Sequence, residues 1–197
     1  MSIKAALFDH DGTLTVPPDG LWLHANNIKL KQYGGRMVEM DEFAKDLRFG
    51  TDLEPMLRHL GISPDLAMQI EYERNAYYNL LLEDHAEPLP GSHELLREVR
   101  SSGRSTGIIT HARHTNLQAQ RGRTGFDGLI DVVIAKDDME TDTGEKHYKP
   151  DPYSIQLAAN QLGVSVEECC VIGDLFSDVE MARRAGIPGI LVVGPHT

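Results

Sequence analysis

Apolar positions along the chain follow two rhythms, and the change from one to the other divides the sequence. Residues 3–8, IKAALF, form a short, nearly continuous apolar run of the length expected for a strand buried on both faces, and the run stops at Asp9-His10-Asp11-Gly12. After Leu14, residues 15–20 are turn formers stiffened by Pro17 and Pro18, as in a linker or hinge. From Leu21 to about Glu87 the spacing is helical. Leu21, Ala25 and Ile28 keep one face until Gly34-Gly35 breaks it, and 41–60 reads as one or two short helices interrupted near Gly50. Ser63-Pro64-Asp65 then supplies a cap, a first-turn proline and a first-turn acid for a long helix with Leu66, Ile70, Tyr77 and Leu81 on one face.

Beyond Pro88-Leu89-Pro90-Gly91 the pattern becomes alternating helix and strand. Helices are predicted at 94–102 with Leu95, Leu96 and Val99 inward, at 114–123, at 152–162 with Ile155, Ala158, Ala159 and Leu162 inward and Asp151 as cap, and at 177–185. Strands are predicted at 105–110, 132–135, 169–173 and 189–193. Such alternation predicts an α/β fold with a parallel sheet covered on both faces. Right-handed crossovers around a switch point put the first strand in the centre, in order 3-2-1-4-5. Ligands then bind at the carboxyl ends of the strands. Asp9 and Asp11 lie at that edge.

Composition narrows the partners. With 197 residues, 41% hydrophobic and 25% charged, the chain suits one sizeable globular core plus an insert. Its formal charge of −11 argues against nucleic acid or an anionic membrane as partner. A phosphorylated substrate would also be repelled at long range, so a phosphate site here needs local positive charge, which points to a divalent metal. Cys169 and Cys170 are adjacent, would point to opposite faces of a strand, and have no metal-ligand spacing. The expectation is a reduced, cytoplasmic protein: Asp9 comes too early for a signal peptide and no apolar stretch is long enough to span a bilayer.

Taken alone, Asp-x-Asp-Gly is also an ordinary polar turn. In context, Phe8-Asp9-His10-Asp11-Gly12-Thr13-Leu14 resembles the first signature of the haloacid dehalogenase (HAD) superfamily, most of whose members are magnesium-dependent phosphatases. Three later stretches continue the resemblance in order. Ile108-Ile109-Thr110-His111 ends a strand in a hydroxyl, Lys149-Pro150-Asp151-Pro152 holds a lysine in a proline frame, and Val171-Ile172-Gly173-Asp174 is followed by Asp178. Residues 149–194 look like the second half of a HAD core throughout, and the helical insert is similar to the family's C1 cap. Val16 stands where many relatives have Asp, and His111 where a small residue is usual.

The resemblance, to the phosphoglycolate phosphatase and β-phosphoglucomutase-like branch, implies a Rossmann-like HAD core at 1–15 and 88–197 and a helical cap at 16–87. It also implies roles. Asp9 is the nucleophile, Asp11 the acid and base with a pKa raised by its neighbours, and Lys149 the fixed ammonium, with Lys146 as its rival. Gly12, Thr110, His111 and Lys149 contact the phosphoryl group. Mg2+ is held by the Asp9 and Asp174 carboxylates and the Asp11 carbonyl, with Asp178 supporting Lys149 or a metal-bound water. The activity implied is hydrolysis of a small phosphorylated metabolite through an aspartyl phosphate, by a monomer or homodimer. The alternatives are a sugar phosphomutase, a dehalogenase, which has no use for Asp11, Asp174 or metal, and a catalytically idle HAD-like binding module. Within the insert, His24, Arg36, Arg48 and Arg58 are candidate specificity groups, each equally explained as a solvated surface charge.

Overall fold

A computed structural model describes residues 2–34, 36–41 and 62–192 of the protein. The described elements, numbered here in chain order, are β1 (Ala5–Phe8), α1 (Asp19–Gln32), α2 (Pro64–His85), α3 (Ser92–Ser101), β2 (Ser105–Ile109), α4 (His114–Thr124), β3 (Val132–Ile134), α5 (Tyr153–Leu162), β4 (Cys169–Gly173), α6 (Phe176–Ala185) and β5 (Gly189–Leu191). A 3-10 turn, Lys136–Met139, follows β3. The chain divides into two compact units, 1–17 with 86–197, and 18–85.

In the larger unit all five strands are parallel, in the order β3-β2-β1-β4-β5 expected from the sequence. The order follows from the apolar run at β1. Buried on both faces, with Ala5, Leu7 and Phe8 each at most 1% exposed, this strand is stable only between two others and under two helical layers. Because side chains alternate along a strand, Ala5 and Leu7 join Ile109, Ile134, Ile155, Ala158, Met181 and Ala182 on one face, the face covered by α5 and α6. Ala6 and Phe8 join Leu14, Leu96, Ile108, Phe126 and Ile172 on the other. Cys169 and Cys170 split between the faces in the same way, both as free thiols.

Side chains from the two flanking strands leave no slack at Gly107 in β2. A Cβ there would lie 2.7 Å from both Leu7 Cδ2 and Val132 Cγ1. Gly107→Ala is therefore expected to cost about 1–3 kcal/mol by overpacking, read as a lower denaturation midpoint with an unchanged denaturant slope.

The smaller unit pairs α1 with α2 over Leu23, Leu30, Val38, Ala67 and Ile70. The Asn27 side chain clamps Val38 in both directions, donating to its carbonyl at 2.9 Å and accepting from its N–H at 2.7 Å. Several sequence expectations shift here. The buried stripe of α2 is Ala67, Ile70, Arg74, Tyr78 and Leu82, one residue away from the predicted Leu66, Tyr77 and Leu81 face, and Ile28 of α1 is 44% exposed. Arg74 lies in the predicted apolar gap because its guanidinium sits 4.9 Å from the Trp22 ring centre. In α3, Leu96 is buried but Leu95 is exposed, since a single helix face cannot turn both inward. The 41–60 helices lie, apart from Asp41, outside the described residues, as does Val193 of the predicted last strand. Among the described residues no helix is long and apolar enough to cross a membrane.

Candidate active site

The carboxyl ends of the central strands gather the acidic and hydroxyl residues singled out in the sequence. The chain leaves β1 with the Asp9 N–H donating to Ile172 O at 2.8 Å, so the first acidic residue is held by the neighbouring strand's backbone. It then turns at once: Leu14 N and Thr15 N both donate to His10 O at 2.9 Å, and Gly12 N to Thr15 O at 2.8 Å. Gly12 has φ +90°, and a Cβ on it would lie 2.7 Å from Asp174 Cγ. Only glycine allows that backbone and that approach.

Lys149 is the centre of the arrangement. Its ammonium lies 2.5 Å from Asp9 Oδ1 and 2.7 Å from Asp178 Oδ1, with the lysine side chain 4% exposed. Asp178 is placed by the start of α6, where its Oδ2 accepts the Leu175 N–H at 3.1 Å. A Cβ at Gly173 would run into its carboxyl group, so the last residue of β4 must be glycine for Asp178 to tuck beneath the strand. Asp174, at the end of β4, takes a hydrogen bond from Thr13 Oγ1 at 3.1 Å. One carboxylate oxygen from each of Asp9, Asp174 and Asp178 lies within 4.8 Å of the other two.

Two buried carboxylates, Asp9 and Asp178, and the half-buried Asp174 beside one ammonium leave negative charge uncompensated. Burial drives the Asp9 pKa up, Lys149 draws it back, and repulsion from Asp178 and Asp11 adds to the rise, leaving it at about 7. Burial likewise raises Asp174, against the Thr13 hydrogen bond. Burial opposes the charge on Lys149, but Asp9 and Asp178 more than offset it and hold its pKa above the ordinary lysine value. An oxygen-only donor set of this kind, with excess negative charge and a glycine cradle at its edge, fits a small hard divalent cation.

Asp11 behaves differently from the sequence expectation. Its pKa is lowered rather than raised. Burial favours the neutral acid, but the adjacent His10 ring, whose Nδ1 is 3.0 Å from Oδ1, and the Thr15 hydroxyl, donating to the same oxygen at 3.2 Å, outweigh it. Close like charge was expected to raise both acids of the pair; local hydrogen bonding decides Asp11 instead.

Thr110, the residue after β2, is buried, its N–H donating to Ile134 O at 3.0 Å and its hydroxyl accepting from Ala112 N at 3.0 Å. His111 is engaged with the lysine segment: its Nε2 accepts the Lys149 backbone N–H at 3.0 Å, and its ring centre is 5.5 Å from that of Tyr148. Lys146, the alternative cation, lies over the Tyr148 ring, 5.7 Å from its centre. Within the smaller unit His24 and Arg36 are exposed, and Arg48 and Arg58 lie outside the described residues. Sequence reasoning passed over His10, Thr13 and Thr15. His10 carried a signal: it continues the Ala6, Phe8 alternation onto a core face, where a buried imidazole demands a polar partner.

The haloacid dehalogenase-like hydrolase family model matches residues 3–186. The chain belongs to that family. It is 32% identical over 190 residues to a pyrophosphatase PpaX of Bacillus velezensis, covering 93% of this chain and 80% of the relative. To a phosphoglycolate phosphatase of Xanthomonas campestris it is 27% identical over 190 residues, covering 95% and 81%. The crystal structure of CbbY from Rhodobacter sphaeroides in complex with phosphate superposes with a TM-score of 0.83 at 25% identity, over 99% of this chain and 88% of that one. The protein is accordingly an enzyme of this hydrolase family, and the two sequence relatives named are phosphatases.

Proposed function

We propose that the protein is a magnesium-dependent phosphatase that hydrolyses a small phosphorylated metabolite through an aspartyl-phosphate intermediate. The observation that carries this reading is the double ion pair of Lys149 with Asp9 and Asp178, with Asp174 alongside. Relatives named pyrophosphatase and phosphoglycolate phosphatase, matched over 80% and 81% of their own lengths, support the substrate class.

In this reading an Asp9 oxygen attacks phosphorus, the ester P–O bond breaks, and its electron pair passes to the leaving oxygen, which takes a proton from Asp11. Water activated by Asp11 then cleaves the aspartyl phosphate and releases phosphate. A lowered pKa suits Asp11 to the second step, in which it accepts a proton. For the first step it must be protonated, and an arriving phosphate dianion raises its pKa by like-charge repulsion. Lys149 holds Asp9 in place and faces the transferring group, while the Thr110 hydroxyl and the backbone from Gly12 and His111 are assigned to the phosphoryl oxygens. The metal, assigned to the Asp9 and Asp174 carboxylates and the Asp11 carbonyl, would supply positive charge against those oxygens. Asp178 is assigned to Lys149. The 16–87 insert is assigned the family's helical cap role, with the core at 1–15 and 88–197.

Phosphate release from an aryl phosphate is expected to stop in EDTA and to return with added Mg2+; turnover that survives the chelator would overturn the metal dependence. A panel containing phosphoglycolate, inorganic pyrophosphate and sugar phosphates should single out one class by kcat/KM. Isomerised sugar phosphate without net phosphate release would instead establish a mutase, and an inert panel with Mg2+ present would favour a binding module.

A further inference from the structure

The residue between the two acids has no part in the chemistry above, yet it is among the most enclosed polar groups in the larger unit. The His10 side chain is 3% exposed, and its polar contacts lead back to the catalytic turn. Its Nδ1 is 3.0 Å from Asp11 Oδ1 and 3.5 Å from Thr15 Oγ1. Thr15 Oγ1 reaches Asp11 Oδ1 at 3.2 Å and His10 O at 3.1 Å. The ring is set edge-on to Phe126, centres 6.3 Å apart and planes at 86°, which fixes the direction in which Nδ1 points. An ionised carboxylate only accepts hydrogen bonds, so Nδ1 carries the proton in this contact.

We infer that His10 is a positioning residue for Asp11: the Phe126-braced imidazole and Thr15 together hold Oδ1, so that the carboxyl group meets the leaving oxygen in one orientation. The inference rests on the reading of Asp11 as the group that protonates that oxygen. Without His10 the carboxyl keeps its position in the chain but loses one of the hydrogen bonds that set its rotation, and proton transfer depends steeply on such alignment. The acid is needed most when the leaving oxygen is basic. A nitrophenolate departs unaided, a phenolate or alkoxide does not.

The test is a series of aryl phosphates of rising phenol pKa, with log kcat/KM plotted against that pKa for the parent enzyme with Mg2+, Asp11→Ala, His10→Leu, His10→Asn and His10→Gln. The Asn amide nitrogen takes the place of Nδ1, whereas the Gln amide reaches past it. His10→Leu and His10→Gln should lose at least about tenfold more on phenyl than on 4-nitrophenyl phosphate, giving a steep slope, with His10→Asn returning towards the shallow slope of the parent. Uniform loss across the series in His10→Leu and His10→Gln, beside a steep Asp11→Ala, would refute the positioning role while leaving Asp11 as the acid. A shallow Asp11→Ala slope would instead overturn the assignment of Asp11 on which the inference stands. If His10→Leu does not fold, as judged by its melting curve, the Asn and Gln pair decides by the same criterion.

Discussion

Asp9→Asn is expected to abolish phosphate release from an aryl phosphate and, in the same protein, to raise the melting temperature of the metal-free enzyme at about pH 8. The first effect follows from chemistry. A carboxamide is too weak a nucleophile to form the acyl phosphate, and loss of a group that forms the covalent bond removes roughly four orders of magnitude or more. The second follows from electrostatics. The Asp9 carboxyl, buried and facing Asp178 and Asp11, titrates at about 7 in the folded protein against 3.8 for an unstrained aspartate.

Sign decides the direction. Between those two values the folded state binds more protons than the unfolded state, so stability falls as pH rises, by about 1.4 kcal/mol per pH unit for one proton. Above about 7 the loss is complete. The amide cannot ionise, so Asp9→Asn should escape this slope: its advantage over the parent grows from pH 4 to 7 and then stays constant. Melting curves in EDTA at several pH values measure it. Added Mg2+ should stabilise the parent at pH 8 more than the variant. Retained turnover in Asp9→Asn would sink the nucleophile assignment, and parallel pH profiles for the two proteins would sink the account of the charge.

Lys149→Met is the second large effect. The substitution keeps the length and apolar stem of a side chain that is 4% exposed but removes the ammonium from between Asp9 and Asp178. Breaking a buried ion pair from one side costs about 3–5 kcal/mol, because the stranded charge has no water. For a chain of 197 residues that corresponds to roughly 6–20 °C in melting temperature. Lysine's raised pKa means its own contribution is present throughout the neutral range and is lost only above the ordinary lysine value. The pH dependence of the loss therefore comes from Asp9. As pH falls below about 7 Asp9 takes up its proton and the penalty shrinks; at pH 8 it is largest. Catalysis should also fall by about 100-fold or more, as on removing one preorganised positive group from a charge-stabilising site. A variant equal to the parent in stability at pH 8 would mean that the lysine is not paired in solution.

The asymmetry of these two variants is the physical character of the site. One removes a charge the fold tolerates poorly, and the other removes the charge that makes it tolerable. In the proposed mechanism, catalysis keeps Asp9 where stability alone would not.

Much of this was readable in the chain, and for local reasons. The buried run of 3–8 predicted a central parallel strand because a segment apolar on both faces has one stable environment. The helix–strand alternation after Gly91 then left little freedom for the strand order, which is as observed. Asp9, Thr110, Asp174 and the helix-start Asp178 were legible as polar residues terminating or just following apolar strands. The α2 and α3 faces were less so. Adjacent leucines at 95 and 96 both read as core, and only packing could choose Leu96. Arg74 was invisible as a buried residue because its burial depends on Trp22, 52 positions earlier in the chain.

By itself, then, the sequence determined the alternation of elements, the central place of β1 and the set of residues at its carboxyl edge, since periodicity and chain-reversal chemistry act over a few residues. Only the tertiary structure decided which of those residues share charge. Lys149 meets Asp9 across 140 positions, and Asp9 and Asp11 are driven in opposite directions by different neighbours. Coulomb energy and hydrogen bonding depend on distances of a few ångströms in space, and separation along the chain does not encode them.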